Sequence, residues 1–146
     1  MLKRSTTVAV GALCSVLALS SQSAFSGELC ISIGDIKSNE GTMMVAIVDN
    51  ETSFKESKPS VASMLLPTHS EAISACVKSL VDGEYAIRVM QDLNNNGEMD
   101  TNLVGMPNEP WGTSNNATGS FGPPAWEDAK FELSAGGATQ TITLNH

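Results

Sequence analysis

Short segments in which apolar and polar residues alternate run through most of the chain, and no stretch keeps a helical period over several turns. The segments with this pattern are rich in β-branched residues, as strands are, and cover 29–36, 42–49, 72–77, 85–90, 130–133 and 139–144. Residues 60–66 fit either a weak strand or a helix. Six to eight short strands without a long helix predict an all-β fold, an antiparallel β-sandwich.

Turn residues between these segments indicate how neighbouring strands connect. The turn at 37–41 predicts a hairpin between the first two strands, and Asp82-Gly83 favours a tight hairpin before residues 85–90. Residues 135–138 predict a third hairpin at the end of the chain. Two stretches allow at most one helical turn each, at 49–59 and 125–129.

Residues 1–26 have the features of a secretory signal peptide. Lys3 and Arg4 precede an apolar run at 8–19, which is shorter than the roughly 20 residues that span a bilayer. Small residues then predict cleavage after Ser26, which would leave one mature β-sandwich domain at 27–146, periplasmic or secreted and without a membrane span. Cys14 raises the alternative of a lipoprotein, although Leu13 stands before it where a small residue is expected.

The charge of the chain limits its partners. The full chain has 8 basic and 16 acidic residues, and removal of Lys3 and Arg4 would give a mature net charge of −10. This balance disfavours nucleic acid and anionic membrane surfaces and favours cations. The mature part would keep two cysteines, Cys30 and Cys76, and an even pair in an oxidising compartment predicts a disulfide.

Residues 92–100 form an oxygen-rich loop directly after the most regular strand. The side chains of Asp92, Asn94, Asn96 and Asp100 stand at positions 1, 3, 5 and 9, and Gly97 stands at position 6. A loop that folds around a hard cation supplies oxygens from alternate residues, and its glycine permits a sharp reversal. The absence of His and Cys from this loop favours calcium over a transition metal.

The loop departs from the EF-hand pattern that it otherwise follows. Position 12 is Leu103 instead of a bidentate Glu, and the loop follows a strand instead of a helix. We therefore expect further oxygens from the Glu98 carbonyl and from Glu109. The alternative is a turn without metal, in which the Asn and Asp side chains bond their own backbone.

Residues 102–126 are rich in Gly and Pro and contain Trp111, Phe121 and Trp126. A connection of this length is rare in a compact domain unless it is functional or disordered, and aromatic residues argue against disorder. The rings predict an ordered loop, which is either a small core of its own or a surface that binds a glycan, a peptide or a protein.

Four segments together resemble an exported bacterial family, domain of unknown function 2141. They are 82–86, 92–102, 105–116 and 121–129. Gln91 is a departure, since the family more often has His there. The resemblance implies a periplasmic or extracellular β-sandwich, similar to transthyretin-like or immunoglobulin-like folds, and it implies no activity.

These observations predict a non-enzymatic, calcium-stabilised binding or accessory module. The main alternative is a polysaccharide hydrolase that uses the carboxylates of Asp100 and Glu109. A carrier of a soft metal is a weaker alternative, because its methionines are scattered along the chain: Met43, Met44, Met64, Met90, Met99 and Met106.

Overall fold

The computed structural model describes residues 26–56, 60–69, 71–120 and 122–146. The predicted signal peptide therefore lies, except for Ser26, outside the described residues. The strands are β1 (Ser26–Gly34), β2 (Thr42–Val48), β3 (Ala62–Pro67), β4 (Ile73–Val81), β5 (Gly83–Asp92), β6 (Trp111–Thr113), β7 (Phe131–Leu133) and β8 (Ala138–Thr143). Two short helices, α1 (Glu51–Lys55) and α2 (Trp126–Ala129), and a 3₁₀ turn (Ser114–Asn116) complete the elements.

The strands form two sheets, which confirms the all-β sandwich. One sheet has the order β4-β1-β8, and the other has the order β3-β2-β5-β6 with β7 also paired to β5. All pairings are antiparallel except β1 with β8, which is parallel from Leu29↔Ala138 to Gly34↔Thr143. The ambiguous segment 60–66 forms the edge strand β3.

The three predicted hairpins are wrong. Strands β1 and β2 lie in different sheets, as do β4 and β5, and β7 and β8. In each case the turn residues mark a crossing between sheets. The reason is that a turn signal and an alternating pattern specify where a strand ends and which face is apolar, but they do not specify which strand it pairs with.

The core fills the space between the two sheets. Alternate residues of each central strand point inward, so the apolar face of β1 meets those of β2 and β5. The central side chains are at most 4% exposed: Leu29, Ile31, Ile33, Met43, Val45, Ile47, Tyr85, Ile87 and Val89. Met43 fills this core, as expected for a flexible apolar side chain.

Cys30 and Cys76 form the predicted disulfide. They face each other on the paired strands β1 and β4, and their sulfur atoms are bonded across 46 residues of sequence. The bond lies on the outer face of the sheet, because Cys30 is half-buried and Cys76 is exposed. It therefore links two strands without taking part in the core.

No helix in the described parts of the chain is long and apolar enough to cross a membrane.

Candidate functional site

The oxygen-rich loop begins at the last residue of β5. Asp92 is 3% exposed, and its carboxylate accepts the backbone N–H of Asn96 at 3.1 Å and of Gly97 at 2.7 Å. Asn94 Oδ1 accepts the N–H of Asn96 at 3.0 Å, and Asn96 Oδ1 accepts that of Glu98 at 2.8 Å. Gly97 has φ +80°, the left-handed conformation expected of the glycine at this reversal. The loop thus closes on its own side-chain oxygens.

Asp100 completes the same cluster. Its two carboxylate oxygens accept the side-chain amides of Asn94 at 2.6 Å and Asn96 at 3.1 Å. The four side chains predicted as ligands, those of Asp92, Asn94, Asn96 and Asp100, are therefore brought together. This hydrogen bonding also matches the alternative of a turn built from Asx interactions, so both interpretations share one geometry.

Glu109 holds the two ends of the loop together. The side chain is 4% exposed, and its oxygens accept the backbone N–H of Leu93 at 2.8 Å and of Asp100 at 3.1 Å. A buried carboxylate with two backbone donors is a strong anchor, since hydrogen bonds to charged acceptors are stronger than neutral ones. Glu109 thus bonds the loop backbone at both ends, whereas Glu98 is exposed and contributes its backbone N–H to Asn96 Oδ1.

The chemistry of the loop fits a hard cation. Each oxygen of Asp92 and Asp100 accepts one hydrogen bond and keeps further acceptor capacity. The sequence has no Lys or Arg between Arg88 and Lys130, so no basic side chain of this segment can balance the carboxylates. Bound calcium would replace the two carboxamide N–H donors as the positive partner of Asp100, and it would leave the backbone bonds of Asp92 in place.

A different cluster brings three residues of metal-ligand types close together. Within the described ranges, the group of three or more His, Cys, Asp and Glu with ligand atoms within 4.8 Å of one another is Glu28, Cys30 and Cys76. Its two sulfur atoms are joined in the disulfide, so they are not available as thiolates. Among the described residues, the carboxylates of Asp92, Glu98, Asp100 and Glu109 form no such group of three. The convergence in the acidic loop therefore consists of two aspartates and two carboxamides.

The loop is also tied to the neighbouring strand β2. Asn95 Oδ1 accepts the hydroxyl of Thr42 at 2.7 Å, and Gly41 packs against the Asp92 backbone. A Cβ at Gly41 would lie 1.8 Å from the carbonyl oxygen of Asp92, and its φ of +72° favours glycine as well. The start of the acidic loop is therefore held against the segment that crosses between the sheets.

Gln91 makes a further link that the sequence did not reveal. The side chain is fully buried, and its amide donates to the carbonyl oxygens of Ser38 at 3.0 Å and Glu40 at 2.9 Å. Two carbonyl partners require both hydrogens of a carboxamide, which one imidazole nitrogen does not supply. This requirement explains physically why Gln suits this position.

The aromatic residues occupy different environments. Trp126 is 6% exposed and packs edge-on against Phe54, with ring centroids 5.9 Å apart, in a second core cluster. Trp111 is half-buried in β6, and its backbone pairs with Asn145. Phe121 lies outside the described residues. The burial of Trp126 corresponds to the small core that the composition allowed, and it leaves little ring surface for a ligand.

Ser114 fixes the long connection to the sandwich, although a serine in a loop gives no such signal in the sequence. The side chain is fully buried, accepts the N–H of Ile87 at 2.9 Å and donates to the carbonyl of Ala129 at 2.6 Å. We expect Ser114→Ala to lower the free energy of unfolding by about 2 kcal/mol, because it leaves two buried backbone groups unpaired. Urea unfolding would measure this, with the exposed Ser120→Ala as control; an equal effect of the two variants would contradict it.

The sequence matches a family of bacterial proteins. A family described as uncharacterised proteins found in bacteria matches residues 31–142, which include the acidic loop, Glu109 and most of both sheets. No curated protein and no solved structure matches the chain. Because the match covers most of the sequence, the chain belongs to this bacterial family, domain of unknown function 2141.

Proposed function

We propose that this protein is an exported, non-enzymatic binding or accessory module whose acidic loop binds calcium. The observation that carries the proposal is the convergence of Asp92, Asn94, Asn96 and Asp100 in a stretch without Lys or Arg. Such a set of oxygens suits calcium, which accepts carboxylate and carboxamide ligands in flexible geometry. Calcium there would hold the loop and the residues that follow it in one arrangement.

Two further observations support the remaining parts of the proposal. The disulfide between Cys30 and Cys76 suits an oxidising compartment, in line with the signal-peptide features of residues 1–26. The hydrolase alternative has less support, because Glu109 is 4% exposed and both its oxygens already accept backbone N–H groups. A general acid or base must reach the substrate within hydrogen-bond distance.

Thermal unfolding with and without calcium tests the proposal. A ligand that binds only the folded state stabilises it by about 2.7 kcal/mol when its free concentration is about 100 times the dissociation constant. We expect calcium to raise the melting temperature of EDTA-treated protein, and we expect magnesium to raise it less, because magnesium demands stricter geometry.

The matched variants are Asp100→Asn in the loop and Asp128→Asn on the exposed side of α2. Asp100→Asn removes one carboxylate from the cluster with little change of shape and should abolish the calcium response. Asp128→Asn should retain it. A melting temperature of the wild-type protein that does not change with calcium would overturn the proposed function.

A further inference from the structure

The residues after the acidic loop form a tight turn with an apolar tip, defined here as Leu103, Val104 and Met106. Their side chains are 107%, 81% and 55% exposed, respectively. Leu103 stands where an EF-hand would place its last ligand, and here it projects into solvent. The tip therefore contributes almost nothing to the core of this domain.

The turn that carries the tip is closed by several hydrogen bonds. The Asn102 side chain accepts the backbone N–H groups of Val104 and Met106, each at 3.0 Å. The Asn102 N–H donates to the Met106 carbonyl at 2.8 Å, and the Gly105 N–H donates to the Asn102 carbonyl at 2.9 Å. These bonds fix the backbone of the turn and hold the apolar side chains outward.

Turn chemistry gives no reason for apolar residues at this tip. Exposed turns usually carry Gly, Asn, Asp or Ser, whose backbone preferences and local hydrogen bonds suit them. Here Asn102 and Gly105 supply those properties, and Leu103 and Val104 occupy the exposed positions between them. Clustered apolar side chains exposed on a soluble surface indicate a contact with something outside the domain.

We infer that the apolar tip inserts into the interfacial region of a lipid bilayer when the acidic loop holds calcium, an inference that rests on the proposed function. Leu103 and Val104 are 107% and 81% exposed and therefore protrude from the surface. Fluid lipid can surround protruding side chains without a shaped cavity. The surface of three side chains is also much smaller than the roughly 800 Å² that each partner buries in a stable protein interface. Exposed apolar side chains at the tip of a polar surface are suited to shallow insertion.

The charge of the protein makes this contact depend on the cation. The chain carries a net charge of −8, and no Lys or Arg occurs from residue 89 to residue 129. An anionic bilayer would therefore repel the loop and the tip when no cation is bound. Calcium bound at the loop would reduce this repulsion, because it would neutralise part of the negative charge beside the tip.

The acidic loop and the turn that carries the apolar tip are directly connected. Thr101 and Pro107 pair at the base of the turn, and the Asn108 N–H donates to the Asp100 carbonyl at 2.8 Å. Asp100 also belongs to the acidic loop, through its bonds to Asn94 and Asn96. A cation at Asp100 thus acts on the residue from which the turn begins.

Cosedimentation with vesicles tests the inference, using phosphatidylethanolamine vesicles that contain a minority of phosphatidylglycerol. We expect the protein to sediment with the vesicles in calcium and to be released by EDTA. The double variant Leu103→Ser/Val104→Ser should weaken the association about tenfold or more, because it removes most of the buried apolar surface. The control is Leu65→Ser, which changes a leucine of β3 that is 68% exposed but lies outside the tip.

A calcium titration of the same proteins without vesicles separates the two proposals. Wild-type protein that binds calcium and ignores the vesicles would overturn the bilayer contact, leave the proposed function intact and point to a groove on a protein partner. Association that survives EDTA, or that is unchanged in the double variant, would also overturn the inference. A protein that binds no calcium would fail the proposed function itself.

Discussion

Glu109→Ala is expected to lower the free energy of unfolding by about 4 kcal/mol, because the loop loses its anchor. The carboxylate is 4% exposed and accepts the N–H groups of Leu93 and Asp100 at 2.8 and 3.1 Å. Each hydrogen bond to a charged acceptor contributes about 1.5–3 kcal/mol, and both donors would be left without their partner. Equilibrium unfolding in urea, followed by circular dichroism, measures the loss.

Two variants sharpen this test. Glu109→Gln keeps one carbonyl acceptor and turns an amide toward the second N–H, so about half of the loss is expected. Glu98→Ala changes an exposed carboxylate inside the same loop, and its effect should stay within about 0.5 kcal/mol. If Glu109→Ala were no more destabilising than Glu98→Ala, the anchoring role of Glu109 would be excluded.

Replacing both Cys30 and Cys76 by alanine is expected to cost about 4 kcal/mol of stability. The bond closes 46 residues of chain, and the loss of loop-closure entropy in the unfolded state grows with that length. The bond is also on the outer face of the β1–β4 pair, so its removal leaves the core contacts unchanged. The effect therefore acts mainly through the unfolded chain.

The measurement compares urea unfolding of this variant with that of the wild type under oxidising and reducing conditions. Ser32→Ala/Ser74→Ala is the control, because Ser32 and Ser74 face each other two residues further along the same strands. Their hydroxyls are 3.5 Å apart, so the control should lose less than about 1 kcal/mol. Equal stability of the cysteine variant and oxidised wild type would contradict the chain-entropy argument.

The sequence predicted strands well and connections poorly. Alternation located β1, β2, β4, β5 and β8, because burial on one face requires it. The crossing between sheets after β1 depends on the fit of Gly41 against Asp92, about 50 residues away, which no local pattern contains. The parallel pairing of β1 with β8 joins distant parts of the chain and is invisible for the same reason.

The candidate site shows the same division between local and distant information. The spacing of Asp92, Asn94, Asn96 and Asp100 was enough to predict that their side chains converge, because they belong to one loop. The bonds of Glu109 to both ends of that loop could not be read from spacing. The bonds of Gln91 to the backbone at 38–40 could not be predicted from spacing either. Both sets of bonds depend on how distant parts of the chain return to the loop.

Isothermal titration of calcium into EDTA-treated, dialysed protein tests the binding of calcium by the acidic loop most directly. Wild-type protein should bind one calcium ion per chain at the loop, and Asp100→Asn should lose this binding while Asp128→Asn keeps it. Binding that is absent from the wild type, or that persists unchanged in Asp100→Asn, would contradict the account.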